Sequence, residues 1–264
     1  MCADSVPKVT NDIQALTDAY LHDERGHADG RAWLMLNMIA SIDGAIAIDG
    51  LSGELGNEAD FAVFKTLRSL ADVVLVAAGT ARSEGYRVPT IDDETAARRA
   101  ACGQARLPVI AVVTRSLRLD LDSPLFATPS YRPIVVTVDQ APEEARAATE
   151  AKADVVVAGI ADVDRPTAVT ALSNRVGPMI LVEGGPTLNG QLATADLFDE
   201  LCVTTSPTLV GGNGGRMLAS GDAHRPRQFR IDRARTAGGL LFTRYLRDVA
   251  ETDRTLDEAP APLR

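Results

Sequence analysis

Histidine and cysteine are scarce in this 264-residue chain, and the way they are spaced excludes several chemistries. The three histidines, His22, His27 and His224, stand in no metal-ligand spacing, so no metal site and no zinc enzyme are expected. The three cysteines, Cys2, Cys102 and Cys202, make no CxxC pair and no even-numbered disulfide set, which suits a reducing compartment. The absence of a GxSxG elbow argues against an α/β-hydrolase. No apolar run reaches the ~18 residues of a membrane span. Residues 1–30 are polar and acidic and lack the apolar stretch of a signal peptide. Positive charge is also short: 27 Lys and Arg face 36 Asp and Glu, a formal net charge of −9. That balance argues against nucleic acid or an anionic membrane as a partner. A cytoplasmic location is expected, and an anionic ligand would need a local cluster of Arg or backbone N–H groups.

What is present is a core-forming composition with a repeating pattern. Hydrophobic residues make up 45% of the chain, ordinary for a globular protein. The length suits one large α/β domain or two small ones. Apolar runs predict strands over 33–39, 72–78, 108–114, 133–138, 154–158 and 178–182. Between them, Asn57 is placed to cap a helix whose Phe61, Phe64, Leu67 and Leu70 recur at threes. Further helices are predicted over 141–151, over 166–176 and from near Pro186. Continuous apolar strands spaced by helices mean a mostly parallel sheet covered on both faces. The runs 201–210 and 239–247 have no clear helix between them and predict an antiparallel pair at one sheet edge. The expected organisation is a single α/β domain over 31–249. Residues 1–30 read as an extension with one short helix over 12–21, and residues 250–264 as a loose polar tail.

Five segments have the make-up of ligand sites. Ala40-Ser41-Ile42-Asp43-Gly44 follows the first strand, where α/β proteins bind ligands; it also reads as a simple Asx turn. Gly79-Thr80 follows the second strand, with Gly for close approach and Thr for a cap or a phosphate. Thr114-Arg115-Ser116 follows the third, two hydroxyls around a guanidinium, a set suited to the 2′-phosphate of NADP or to an exposed loop. Glu183-Gly184-Gly185-Pro186-Thr187-Leu188-Asn189-Gly190 carries the strongest signal. A buried strand ends in bare glycines and a helix begins at Pro, which leaves free N–H groups and a helix dipole for a diphosphate. It is neither GxGxxG nor a Walker sequence. Gly211-Gly212-Asn213-Gly214-Gly215 reads as a loop.

Together, ASIDG at 40–44, the helix ending Leu67-Arg68, Gly79-Thr80, Thr114-Arg115-Ser116 and EGGPTLNG at 183–190 resemble one family in order and approximate spacing. It is the reductase half of the bacterial riboflavin-pathway deaminase-reductase, a domain similar to dihydrofolate reductase in fold. The resemblance covers about residues 31–247, and EGGPTL is its most specific piece. It implies hydride transfer from NADPH to the ribose C1′ of 5-amino-6-(5-phosphoribosylamino)uracil, opening ribosyl to ribityl. It places Ala40, Thr80, Glu84, Thr114, Arg115, Ser116, Gly184, Gly185, Pro186, Thr187 and Leu188 against the cofactor. Asn37, Ser41, Arg68, Arg87 and Glu183 fall against the substrate. Glu183 first, and Asp43 second, is the expected proton carrier. The family's relatives imply a homodimer.

Three departures stand out. No HxE followed by PCxxC occurs, so no deaminase motif is present. The family's usual Lys on the first strand is Asn37 here, an amide in place of a charge. A second substrate Arg after Gly-Thr has two candidates, Arg82 and Arg87. Two other functions therefore stay open: a dihydrofolate or pterin reductase of the same fold, and a non-catalytic NADP(H)-binding sensor.

Overall fold

The computed structural model describes residues 12–212, 215–219 and 226–248. The tail 250–264 lies outside them, as do Cys2, Asn213, Gly214 and His224. One nine-stranded sheet organises the chain, in the order β5-β4-β3-β2-β6-β1-β7-β9-β8. Its strands are β1 (Trp33–Ser41), β2 (Val73–Ala77), β3 (Val109–Val113), β4 (Ile134–Thr137), β5 (Asp154–Val157), β6 (Met179–Val182), β7 (Glu200–Ser206), β8 (Phe229–Ala237) and β9 (Leu240–Arg247). All pairings from β5 through to β7 are parallel, while β7–β9 and β8–β9 are antiparallel. This is the expected mixed α/β class, parallel with an antiparallel C-terminal edge. The predicted edge pair is a trio, because β8 adds an outer strand beyond β9.

The central strands are parallel because both their faces are apolar. Val73, Val74, Leu75 and Val76 of β2, and Ile180, Leu181 and Val182 of β6, are almost wholly buried. The helices are α1 (Ile13–Leu21), α2 (Glu58–Leu70), α3 (Ala78–Ser83), α4 (Asp93–Ala101), α5 (Pro124–Ala127), α6 (Glu143–Glu150), α7 (Arg165–Arg175) and α8 (Pro186–Thr194). Asn57 caps α2 as expected: its side-chain oxygen accepts from the Ala59 and Asp60 amides. Its amide nitrogen also donates to the Gly238 carbonyl at 2.7 Å, tying α2 to the β8–β9 turn.

Residues 12–30 fold onto the domain. Asp12 caps α1, and Leu16 and Tyr20 join the main core, each 2% exposed. Arg25 then reaches Glu200 of β7 through two bonds of 2.8 Å.

The strand order creates the crevice. β6 lies between β2 and β1; the connection after β1 leads to the β2 side, and that after β6 leads through α8 to β7. The two connections diverge beyond the carboxyl ends of β1 and β6, the place where open α/β sheets bind ligands.

Candidate active site

A cleft of about 860 Å³ opens at that divergence. β1 supplies Asn37, Met38 and Ile39; α2 supplies Asp60, Phe64, Lys65 and Arg68; the turn after β6 supplies Glu183, Gly184, Gly185 and Pro186. Thr80, Glu84, Tyr86 and Arg87 close the β2 side.

On α2, Asp60, Phe64 and Arg68 are four residues apart, so one helical stripe carries all three to the cleft. Arg68 meets Glu183 in a two-pronged pair, Nε to Oε1 and Nη2 to Oε2, both at 2.7 Å. The Tyr86 hydroxyl donates to the same Oε2 at 2.5 Å. Arg68 also lies 4.1 Å from the Phe64 ring centre and 5.0 Å from that of Tyr86. Burial alone would lower the Arg68 pKa, but the charge and hydrogen bonds of Glu183 raise it above the ordinary value. Burial, then the neighbouring Glu183 charge, pushes the Tyr86 phenol well above its usual range, so it keeps its proton. Tyr86 escaped the sequence reading because it meets Glu183 across 97 residues, with no local pattern to announce it.

The glycine turn lines the cleft with bare backbone, and both of its glycines are buried there. Gly184 holds φ +97°, and the Gly184–Gly185 peptide is cis. Gly185 is the N-cap of α8 and Pro186 opens the helix, so no side chain caps the first-turn amides. A Cβ on Gly185 would sit 2.5 Å from Thr80 Oγ1, so a side chain there would fill the gap between the turn and Thr80. Asn189 and the segment after Gly215 brace the turn: Asn189 Nδ2 donates to Met217 O at 2.9 Å, and Ala219 N to Pro186 O at 2.9 Å. Thr187 stays exposed, and Leu188 is packed in the core.

Other residues singled out from the sequence have structural duties. Ser41 is buried, donates to Asp43 Oδ1 and accepts from the Ala45 amide. Asp43 also accepts from Gly211 N at 2.7 Å and Val210 N at 3.3 Å. The Ser41 bond, then those amides, holds the Asp43 carboxyl down at about 2. With Gly44 at φ +90°, this is the Asx-type turn, and neither Ser41 nor Asp43 is among the residues lining the cleft. Ala40 is buried at the end of β1. Glu84 accepts from the backbone and hydroxyl of Ser52, pinning the loop before α2 against the cleft rim.

Thr114-Arg115-Ser116 lies two strands from β6, about 10 Å along the sheet at ordinary strand spacing. Thr114 Oγ1 accepts from the Leu117 amide. Arg115 and Ser116 are exposed, and Arg115 pairs with Asp162 at 2.9 Å. Asn37 sits half-buried on the cleft floor, and Arg87 is exposed at its mouth. Arg82 turns away and donates to the Arg118 carbonyl at 3.4 Å.

A doubly wound sheet with a glycine-turn crevice and a polar carboxylate–guanidinium–phenol wall has the form of an α/β enzyme that binds a nucleotide cofactor. Within that class the chain belongs to the family described as the RibD C-terminal domain, whose model matches residues 32–240. Among curated proteins it is 30% identical to the 2,5-diamino-6-ribosylamino-4(3H)-pyrimidinone 5′-phosphate reductase of Methanothermobacter thermautotrophicus, over 73% of this chain and 85% of that one. The protein of the same name from Archaeoglobus fulgidus is 26% identical, over 73% and 88%. Among solved structures, a pyrimidine reductase-like protein from Corynebacterium diphtheriae superposes with a TM-score of 0.75 at 26% identity, covering 82% of this chain and 92% of that one. The riboflavin biosynthesis reductase of Saccharomyces shares the fold, with a TM-score of 0.63 at 16% identity, over 90% and 100%.

Proposed function

We propose that this protein reduces a 5-amino-6-ribosylamino-pyrimidine 5′-phosphate with NADPH, giving the ribitylamino product in riboflavin assembly. The observation that carries the reading is the Arg68–Glu183–Tyr86 wall standing directly beside the Gly184-Gly185 turn in one cleft. The names of the relatives in the same family point to the same reaction. NADPH as the cofactor, a cytoplasmic location and a homodimer belong to this reading. Among the described residues no helix is long and apolar enough to cross a membrane.

The bound nicotinamide supplies the hydride. The chain's own groups do the rest. The Gly184-Gly185 turn and the start of α8 hold the diphosphate, with Thr80 behind them. Arg115 serves the adenosine end, where its guanidinium exchanges Asp162 for the 2′-phosphate. Lys65 and Arg87 at the cleft mouth take the substrate phosphate. As C1′–H forms, the C1′–O4′ bond breaks and O4′ requires a proton. Glu183 relays that proton from water, and Arg68 and Tyr86, both bonded to its oxygens, orient it and the ribosyl chain.

The test is NADPH oxidation, followed by absorbance, with the ribosylamino-pyrimidine phosphate and with dihydrofolate as separate substrates. Turnover of the first is expected. Turnover of dihydrofolate alone would make the protein a pterin reductase, and tight NADPH binding without turnover of either would make it a sensor. Arg115→Ala is expected to shrink the preference for NADPH over NADH by about tenfold, the worth of one charge-assisted contact. An unchanged ratio of the two affinities places the 2′-phosphate elsewhere.

A further inference from the structure

Asp60 is a carboxyl in the cleft that the reaction above leaves without a task. It stands on the first turn of α2 and lines the cleft with Asn37, Met38 and Ile39 of β1. The hydroxyl of buried Thr204, on strand β7, is the polar group that favours its charged form. Among the described residues no Lys, Arg or His pairs with it, in contrast to Glu183, whose oxygens are filled by Arg68 and Tyr86. Burial raises its pKa, and only the Thr204 hydroxyl opposes the shift. A carboxylate held in this way gains from two neutral N–H donors side by side, since they replace lost water without demanding a counter-charge.

Of the charged residues that line the cleft, α2 carries Asp60 on its first turn and the cations Lys65 and Arg68 further along. Along α2 the rise from Asp60 to Lys65 is about 7.5 Å. A phosphate is repelled by Asp60 and drawn to the cations, so the ring end of the substrate is the end left for Asp60.

We infer that Asp60 reads the substrate ring: its two oxygens accept from the N3–H and the 2-amino group of a 2-amino-4-oxopyrimidine, and so select that ring over its 2,4-dioxo counterpart. This rests on the reductase reading above. In a 2-amino-4-oxo ring the edge away from the ribosylamino group presents two adjacent donors, which match both oxygens of a carboxylate. In a uracil ring the same edge presents one N–H flanked by two carbonyl oxygens, and one of these would face a carboxylate oxygen with no proton between them. An amide at position 60 has the opposite pattern. It can accept from N3–H and donate to the 2-oxo group.

The experiment compares kcat/KM for 2,5-diamino-6-ribosylamino-4(3H)-pyrimidinone 5′-phosphate and for the corresponding 5-amino-uracil, using the full chain and NADPH. The unaltered protein is expected to favour the 2-amino ring by about 100-fold or more, as sites built to satisfy a polar edge do. Asp60→Asn is expected to collapse or invert that ratio, chiefly through KM for each ring, with NADPH affinity unchanged. Equal use of the two rings by the unaltered protein, or a preference for uracil, overturns the inference with no variant required. A ratio that survives Asp60→Asn in a folded protein overturns it too, while the reductase function stands. Turnover of neither ring overturns the function and the inference together, which separates the two failures.

Discussion

At the scale of single residues, the site depends on where side chains are missing as much as on where they are. Gly185 faces Thr80 across a gap that a Cβ would close to 2.5 Å. Gly185→Val therefore forces Thr80 aside and fills the space a diphosphate needs. NADPH affinity is expected to fall at least tenfold, about 1.4 kcal/mol. Titration of the folded variant checks this, and an unchanged Kd would detach the turn from the cofactor. The sequence shows this turn plainly because its chemistry is local: strand, two glycines, proline, helix. It does not show Asp60 or Tyr86, whose roles come from packing between distant segments. It also leaves the ASIDG segment open between ligand site and turn. The geometry makes Ser41 and Asp43 parts of the turn, since Asp43 spends its lone pairs on Ser41, Val210 and Gly211.

At the scale of elements, legibility tracks hydrophobic pattern. Six parallel strands and helices α2, α6, α7 and α8 are evident because apolar runs and caps mark them. Helix α4 is hidden because its core-facing side is Ala96 and Arg99. The Arg99 guanidinium is buried by donating to the carbonyls of Ser69, Ala71 and Ala105, which no hydrophobic period can signal. Strand β8 is hidden for a similar reason. Its Arg230, Asp232, Arg233 and Arg235 look like loop, yet it pairs with β9 across the Gly238-Gly239 turn, where both residues have positive φ. That turn is also where α2 is anchored. Asn57→Ala removes the α2 cap and the bond to Gly238 together, at about 1 kcal/mol each. A fall in melting temperature of roughly 4–8 °C is expected for a chain of this size. Asn57→Asp keeps the cap and loses only the donor, so calorimetry should find about half the loss. Equal losses in the two variants would mean that the tether, not the cap, holds the helix.

At the scale of the whole molecule, the N-terminal segment and the antiparallel edge are joined by a charge network in which Asp23 pairs with Arg233 and Glu200 is the most deeply buried carboxylate. Glu200 is fully buried; it receives Arg25 Nε and Nη2 at 2.8 Å each, Arg244 Nε at 2.8 Å and Trp33 Nε1 at 3.1 Å. Burial by itself would raise its pKa, but the hydrogen bonds from Arg244 and Arg25, and their charges, bring it down to about 2 from the ordinary 4.5. Because the folded value lies below the unfolded one, the stabilisation is complete above about pH 4.5. It drains away as pH falls toward 2, and is worth on the order of 3 kcal/mol. Arg25 belongs to the segment that carries α1, so protonating Glu200 loosens the grip on residues 12–30 before strands β2 and β6, made only of apolar residues, give way. Urea midpoints should fall steadily across that window. Amide exchange in α1 should quicken at a higher pH than exchange in β2 or β6. Glu200→Gln should start from a lower midpoint, since it leaves two buried guanidinium groups facing a neutral amide, and should lose most of the slope in that range. A midpoint that stays level from pH 4.5 to 2 in the unaltered protein, or exchange in α1 that quickens only with global unfolding, would show that the lock lies elsewhere.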